Sequence, residues 1–368
     1  MTNNTVKSKN NTRNKNNKGN DCGKNIAFMF PGQGSQYINM GMDFLNGNKK
    51  YFDYLDISSN FLGKNLKKTI NNENDMGILL DDTRFAQITI FCISCALNDF
   101  LLNDCKINSV KIKTVIGHSL GDYSALYCCN AFNYSRGAEF VTFRGNLMGS
   151  YTQAGSNIQA NTMDSKNKKM TMAAVLGSDF KTISDVLEDY RGRVFIANYN
   201  DYSQIVISGY SDDVLQASEN IKVRGAKRVI PLKVSIASHC PLMKDASIRL
   251  NDYITENFNN TNGFNNLRFN FFSSTEVKEI GKNEIKKVLV NQLFTPVNWV
   301  ESIERLLSNN INIFIEIGPG KVLAGLIKRI VSAKVITQSE QGISIFNTDT
   351  LDDIESLLTF LESENLIL

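Results

Sequence analysis

The sequence predicts an α/β protein: a large domain with a mainly parallel sheet, carrying a small inserted domain of ferredoxin-like type. Three observations lead there. Apolar runs of strand length alternate with helix-length amphipathic stretches over most of the chain, the pattern of parallel strands joined through helices. Between about residues 170 and 233 the order becomes strand–helix–strand–strand–helix–strand, that of a ferredoxin-like unit. The 368 residues, 42% hydrophobic and 21% charged, suit about two folding units and exclude disordered, collagen-like and disulfide-scaffold classes. The expected division is a tail over 1–25, a large domain over 26–152 and 234–368, a polar loop over 153–169, and the small domain over 170–233.

The tail holds Lys7, Lys9, Arg13, Lys15, Lys18 and Lys24 against Asp21 alone, with almost no apolar residue, so it reads as a disordered extension. The whole chain carries +3, which leaves the body at about −2 and removes any basic surplus for nucleic acid. Residues 25–30 (NIAFMF) read as the first strand, breaking into the turn PGQGSQ. The apolar stretch from about 84 to 102 is too long for a strand and reads as a helix. KTVIG (113–117) reads as a strand, LGDYSALYCC (120–129) as a helix and 136–150 as another. In the small domain, MTMAAVLG, VFIANY, QIVISGY and KRVIPL are the strands; FKTISDVLEDY and VLQASENIKV are the helices. The larger pattern resumes with the strand FNFFSS, a helix near 283–293, the strand INIFIEIG, the helix KVLAGLIKRI and a last helix near 350–363.

No apolar run reaches the roughly 18 residues of a membrane span, and no N-terminal apolar core suggests a signal peptide. Seven cysteines, an odd number, argue against a disulfide framework and for a reducing, cytoplasmic setting. Cys92 and Cys95 form a CxxC, but inside FCISCAL the pair reads as a buried helix face. No metal site is expected.

Gly117-His118-Ser119-Leu120-Gly121 fits GxSxG between a strand and a helix. The glycines let the chain bend sharply and expose the serine hydroxyl, while the following helix N-terminus offers amide donors to an oxyanion. About one chain in ten of this length carries GxSxG by chance, so the strand–turn–helix context is what gives it weight. A serine nucleophile needs a base, and the sequence contains only His118 and His239. Adjacent side chains diverge at a strand end, so His118 points away and His239 is the base by elimination. Arg144 has Phe140, Val141, Leu147 and Met148 at helical spacing around it, which puts a cation on an apolar face. Such a charge needs an anionic partner, either a protein carboxylate or a substrate carboxylate. Pro31-Gly32-Gln33-Gly34 and Gly318-Pro319-Gly320-Lys321 each follow a strand. The first offers free amides as oxyanion donors. Neither fits the phosphate loop GxxxxGK[ST], and each alone reads as a simple chain reversal.

Taken together, FMFPGQGSQ (28–36), GHSLGDYSAL (117–126), FRGNLM (143–148), ANYNDYSQIVISG (197–209), SHCPLM (238–243), NQLFTPVNW (291–299) and EIGPGKVLAGLIKRI (316–330) resemble the malonyl-CoA:acyl-carrier-protein transacylase family. That family includes the discrete, trans-acting acyltransferases of polyketide synthases. The resemblance covers about residues 26–335. It implies an α/β-hydrolase-like large domain, with the small domain as one wall of a cleft. It also implies a ping-pong acyl transfer in which Ser119 is acylated and His239 serves as base for each half. The amides of Gln33 and Leu120 form the oxyanion hole, Arg144 pairs with the malonyl carboxylate, and the Gln292 main-chain carbonyl orients the imidazole. Ser238 and Asn198 belong to the acyl pocket. No cofactor is implied beyond the CoA thioester and the carrier's phosphopantetheine. The implied partner is an acidic acyl carrier protein, with neither nucleic acid nor membrane involved and the protein acting as a monomer.

Some positions depart from the family pattern. Asp122 stands for the usual Glu, a mild change, and Cys240 for a common Ser. Ser238 replaces the Phe of malonyl-selective relatives and suggests room for methylmalonyl, while Leu120 is the malonyl-type residue. The competing enzyme is a hydrolase that clears acyl groups from carrier proteins; Arg144 argues against it, since an editor of neutral chains gains nothing from a buried cation. A non-catalytic scaffold that only docks carriers is opposed by the intact Ser119, His239 and Arg144.

Overall fold

A computed structural model describes residues 23–153, 169–234, 236–258, 263–333 and 342–368. The expected tail and the expected polar loop fall almost wholly outside these. Along the chain, β1 (Ile26–Phe30) leads to α1 (Met42–Gly47), α2 (Phe52–Leu62), α3 (Leu66–Ile70) and the long α4 (Thr83–Asp99). Then come β2 (Ile112–Gly117), α5 (Gly121–Cys128) and α6 (Tyr134–Gln153). The next unit is β3 (Met170–Leu176), α7 (Phe180–Leu187), β4 (Val194–Asp201), β5 (Gln204–Tyr210), α8 (Ser211–Val223) and β6 (Arg228–Pro231). It is followed by α9 (Lys244–Asn257), β7 (Phe271–Ser273), β8 (Lys278–Ile280) and α10 (Ile285–Gln292). The chain finishes with β9 (Val297–Asn298), α11 (Trp299–Ser308), β10 (Ile313–Glu316), α12 (Val322–Ala333), β11 (Ser344–Asn347) and α13 (Leu351–Ser363).

The large sheet has the order β11–β10–β1–β2–β7–β8, parallel throughout except for the β7–β8 pair. Every residue of β1 is buried, as a central parallel strand covered on both faces requires. Its alternation divides the core. Ile26, Phe28 and Phe30 enter one apolar cluster with α4 and α6, while Ala27 and Met29 enter a second with Trp299, Ile303 and Leu326. The register sets Phe30 opposite Gly117 and Met29 opposite Glu316. Three glycine turns therefore emerge side by side from the carboxyl ends of β10, β1 and β2, the edge where open parallel sheets bind ligands.

Against the expectation of no span-length run, Thr83–Asp104 is long and apolar enough to cross a membrane by length and composition, an 18-residue window of it having mean hydropathy 1.7. That window is 83% buried inside the protein, packed by α2, α5 and α6. Its apolarity serves a helix surrounded on nearly all sides, and Cys92 and Cys95 are buried in it.

The second sheet has the order β6–β3–β5–β4–β9. Its first four strands are antiparallel and, with α7 and α8, make the ferredoxin-like unit. Val175, Ile183, Val194, Ile207, Ala217 and Ile221 form a separate core beneath the helices. The sheet is not confined to 170–233, because β9 adds a fifth strand parallel to β4 from far downstream. Arg329 on α12 reinforces that seam by donating from Nε to buried Asp201 at 2.6 Å.

Candidate active site

Strand β2 delivers Gly117 and the chain turns within three residues into α5. Ser119 sits at the apex with φ of 54°, a left-handed conformation that costs a non-glycine residue about 1–3 kcal/mol. The flanking glycines are sterically obligatory. A Cβ on Gly117 would lie 2.1 Å from the Asp122 amide nitrogen, and one on Gly121 would lie 2.0 Å from the Phe30 carbonyl oxygen. The turn after β1 closes over the same elbow, with a Gly32 Cβ position 2.4 Å from the His118 carbonyl. The amides of Gln33 and Leu120, from these two turns, donate to no other described group. GPGK lies behind the first turn, since a Cβ on Gly318 would strike Pro31 and Ser94. It buttresses the Gln33 turn.

His239 comes from the loop ahead of α9, also left-handed at φ 59°, and its backbone amide is held by the Leu293 carbonyl at 2.9 Å. Nε2 is 2.8 Å from Ser119 Oγ and Nδ1 is 2.8 Å from the Gln292 carbonyl oxygen. Because a carbonyl only accepts, Nδ1 carries the proton and Nε2 is left to accept from the serine hydroxyl. Burial and the nearby Arg144 charge pull the imidazole down to about 3, so its resting form is the neutral base. His118 turns away, with Nε2 3.0 Å from Asn200 Oδ1 and 3.5 Å from Asn198 Nδ2. Asn198 is thus placed against His118 on β4, and Ser238 is buried directly before His239.

Arg144 is 1% exposed, and burial lowers its pKa. No carboxylate among the described residues forms an ion pair with it. Nη1 donates to Gln87 Oε1 at 2.7 Å, and Nη2 reaches Ser119 Oγ at 3.4 Å and Gln292 Oε1 at 3.3 Å. Nε has no hydrogen-bond partner among these residues, and the guanidinium lies over the Tyr123 ring at 5.3 Å. A cation in this setting, lacking a protein anion and facing the candidate nucleophile, is arranged to receive one from outside.

Gln292 does more than the sequence suggests. Besides its main-chain carbonyl, its side-chain Nε2 donates to the Ser119 carbonyl at 2.9 Å and to Asp122 Oδ2 at 2.5 Å. Gln87 was not singled out from the sequence. It lies in apolar α4, its Nε2 donating to Thr83 Oγ1, which in turn donates to Gln33 Oε1 at 2.6 Å. A glutamine within an almost wholly buried apolar helix was the available signal. From His239 a groove of about 470 Å³ runs outward between Pro241, Phe294 and Pro296 on one wall and Phe180, Arg191 and Tyr199 on the small domain.

Residues 27–365 match the family model described as acyl transferase domain. The malonyl CoA-acyl carrier protein transacylase of Bacillus subtilis is 35% identical over 312 residues, 83% of this chain and 90% of the relative. The crystal structure of MCAT from Streptococcus pneumoniae superposes with a TM-score of 0.75 at 32% identity, over 91% of this chain and all of that one. A malonyl-transacylase solved in complex with a type II PKS acyl-carrier protein gives 0.79 at 28% identity, over 92% of this chain and 100% of that one.

Proposed function

The chain belongs to the acyl transferase domain family, and from that premise we propose that it moves malonyl groups from malonyl-CoA to an acyl carrier protein, for fatty-acid or polyketide synthesis. The observation that carries this reading is the buried Arg144 guanidinium, with no ion-paired carboxylate among the described residues, 3.4 Å from the Ser119 hydroxyl.

Ser119 Oγ attacks the malonyl thioester carbonyl while His239 Nε2 takes its proton. The amides of Gln33 and Leu120 hold the oxyanion of the tetrahedral intermediate. Collapse breaks the carbon–sulfur bond, and the departing CoA thiolate takes the proton back from His239. The carrier's phosphopantetheine thiol then gives its proton to the same nitrogen, attacks the malonyl ester and leaves Ser119 reprotonated. Arg144 binds the malonyl carboxylate in both halves, and the Gln292 carbonyl keeps the imidazole in the required tautomer. Ser238 and Asn198 shape the acyl pocket.

The chemistry runs on this chain's own side chains and amides, the CoA thioester and the carrier's phosphopantetheine, with no metal in the scheme. Arg191, paired with Glu188, lines the groove, and Lys244 stands exposed over the Phe294 ring of its wall, a cation within reach of an acidic carrier. All the catalytic groups come from one chain, as a monomer requires. The six described cysteines are free thiols, in keeping with the cytoplasm.

The test is intact-protein mass after mixing with malonyl-CoA, methylmalonyl-CoA and acetyl-CoA separately, then with holo carrier protein. A malonyl adduct that moves to the carrier is expected, and Ser119→Ala should abolish it, with transfer falling roughly 10⁴-fold or more. Stripping of neutral acyl carriers to free thiol, with no malonyl adduct, would establish a hydrolase instead.

A further inference from the structure

Among the described residues Asp122 is the one acidic group in the hydrogen-bond network of this site, and its surroundings are peculiar. It lies in the first turn of α5, fully buried. Oδ2 accepts from Gln292 Nε2, while Oδ1 takes no hydrogen bond from a described group. The Gln292 amide has its other end, Oε1, against Arg144 Nη2. One neutral amide thus stands between a carboxyl and a guanidinium, accepting from the cation and donating to the carboxyl oxygen. We propose that Asp122 is a positioning residue that acts through Gln292: it holds that side chain so as to orient Arg144 toward the substrate carboxylate.

This rests on the malonyl-transfer reading and gives it a consequence. Burial pushes Asp122 up to about 8, with the Gln292 hydrogen bond and the Arg144 charge working the other way. The titratable groups facing this site are Arg144 from α6, His239 from its loop and Tyr123 on Asp122's own helix. Above about pH 8, where Asp122 is ionised, a malonyl carboxylate docking on Arg144 brings a second negative charge to the site. Like charges in low dielectric cannot both persist cheaply, so an ionised Asp122 takes one proton from solvent as the substrate binds. Binding coupled to proton uptake weakens as pH rises.

The experiment measures KM and kcat for malonyl-CoA and acetyl-CoA between pH 7 and 9.5, in wild type, Asp122→Asn, Asp122→Glu and Asp122→Ala. Malonyl-CoA KM in wild type is expected to climb above about pH 8, by up to tenfold per pH unit, with acetyl-CoA KM lacking that limb. Asp122→Asn keeps an oxygen for Gln292 but cannot ionise, so its malonyl-CoA KM should stay flat; Asp122→Glu should restore the limb. Asp122→Ala, which frees Gln292, should lose malonyl-over-acetyl preference by roughly tenfold. Should the alanine variant fail to fold, the isosteric Asn variant still decides. A climbing limb retained in Asp122→Asn, or a wild-type enzyme that transfers malonyl with a flat KM, overturns the role of Asp122 and leaves malonyl transfer standing. No malonyl adduct at any pH would remove the premise and the proposal together.

Discussion

Two halves of the site meet at one hydroxyl and are made of different material. The elbow and the proposed oxyanion donors are backbone: a left-handed Ser119, glycines with no room for a Cβ, and two amides that donate to no described group in the turns after β1 and β2. The Arg144 half is side chain, a relay running from Gln33 through Thr83 and Gln87 to Arg144, then through Gln292 to Asp122. Backbone geometry fails steeply when disturbed, because neighbouring main chain cannot move aside. A side-chain relay degrades in steps, since each of its inner members has more than one partner.

The sharpest break is Gly121→Ala. Its methyl would press on the Phe30 carbonyl, so a loss of about 3–5 kcal/mol in stability and of acyl-enzyme formation is expected. Urea unfolding and malonyl labelling check both; a stable, active variant would show that the elbow yields after all. Next is Arg144→Ala, which should lower malonyl transfer roughly 10²- to 10³-fold while sparing acetyl transfer. An unchanged malonyl/acetyl ratio would make Arg144 purely structural. Gln87→Met removes one tether from an Arg144 that keeps two, and a rise of about tenfold in malonyl-CoA KM with near-normal kcat is expected in steady-state assays. The smallest effect concerns acid. His239 lies near 3, below its ordinary 6.5, so it stays neutral and basic as pH falls from 7 to 5. The kcat/KM should change by less than about threefold over that range, where an unperturbed imidazole would give a roughly 25-fold fall.

Legibility in the sequence follows the same division. Ser119, His239 and the three glycine turns are local patterns, and parallel strands such as IAFMF announce themselves as unbroken apolar runs. The α/β class and the ferredoxin-like insert follow from those runs. The early helices α1 to α3 do not, being short and interrupted by left-handed positions such as Gly41 and Gly63. Neither does β9, since two residues have no periodicity to read. Arg144 is legible as an anomaly, but its holders are not. Gln87 precedes it by 57 positions, and Asp122 meets Gln292 across 170, contacts that only the tertiary fold creates. Asp122 therefore passes in the sequence for a mild substitution, although it ends within the polar network at the nucleophile.

The short strand β9 also has a consequence for how the chain is made. The ferredoxin-like unit is contiguous and can collapse as soon as β6 has emerged, but its strand β4 has no outer neighbour until Val297–Asn298 arrives. At roughly 5–20 residues per second on the ribosome, that interval, the 65 residues between Pro231 and Val297, lasts on the order of 3–13 s. Throughout it β4 offers an open hydrogen-bonding edge of the kind that recruits other chains. Synthesis speed over that stretch thus becomes a variable in the yield of soluble protein.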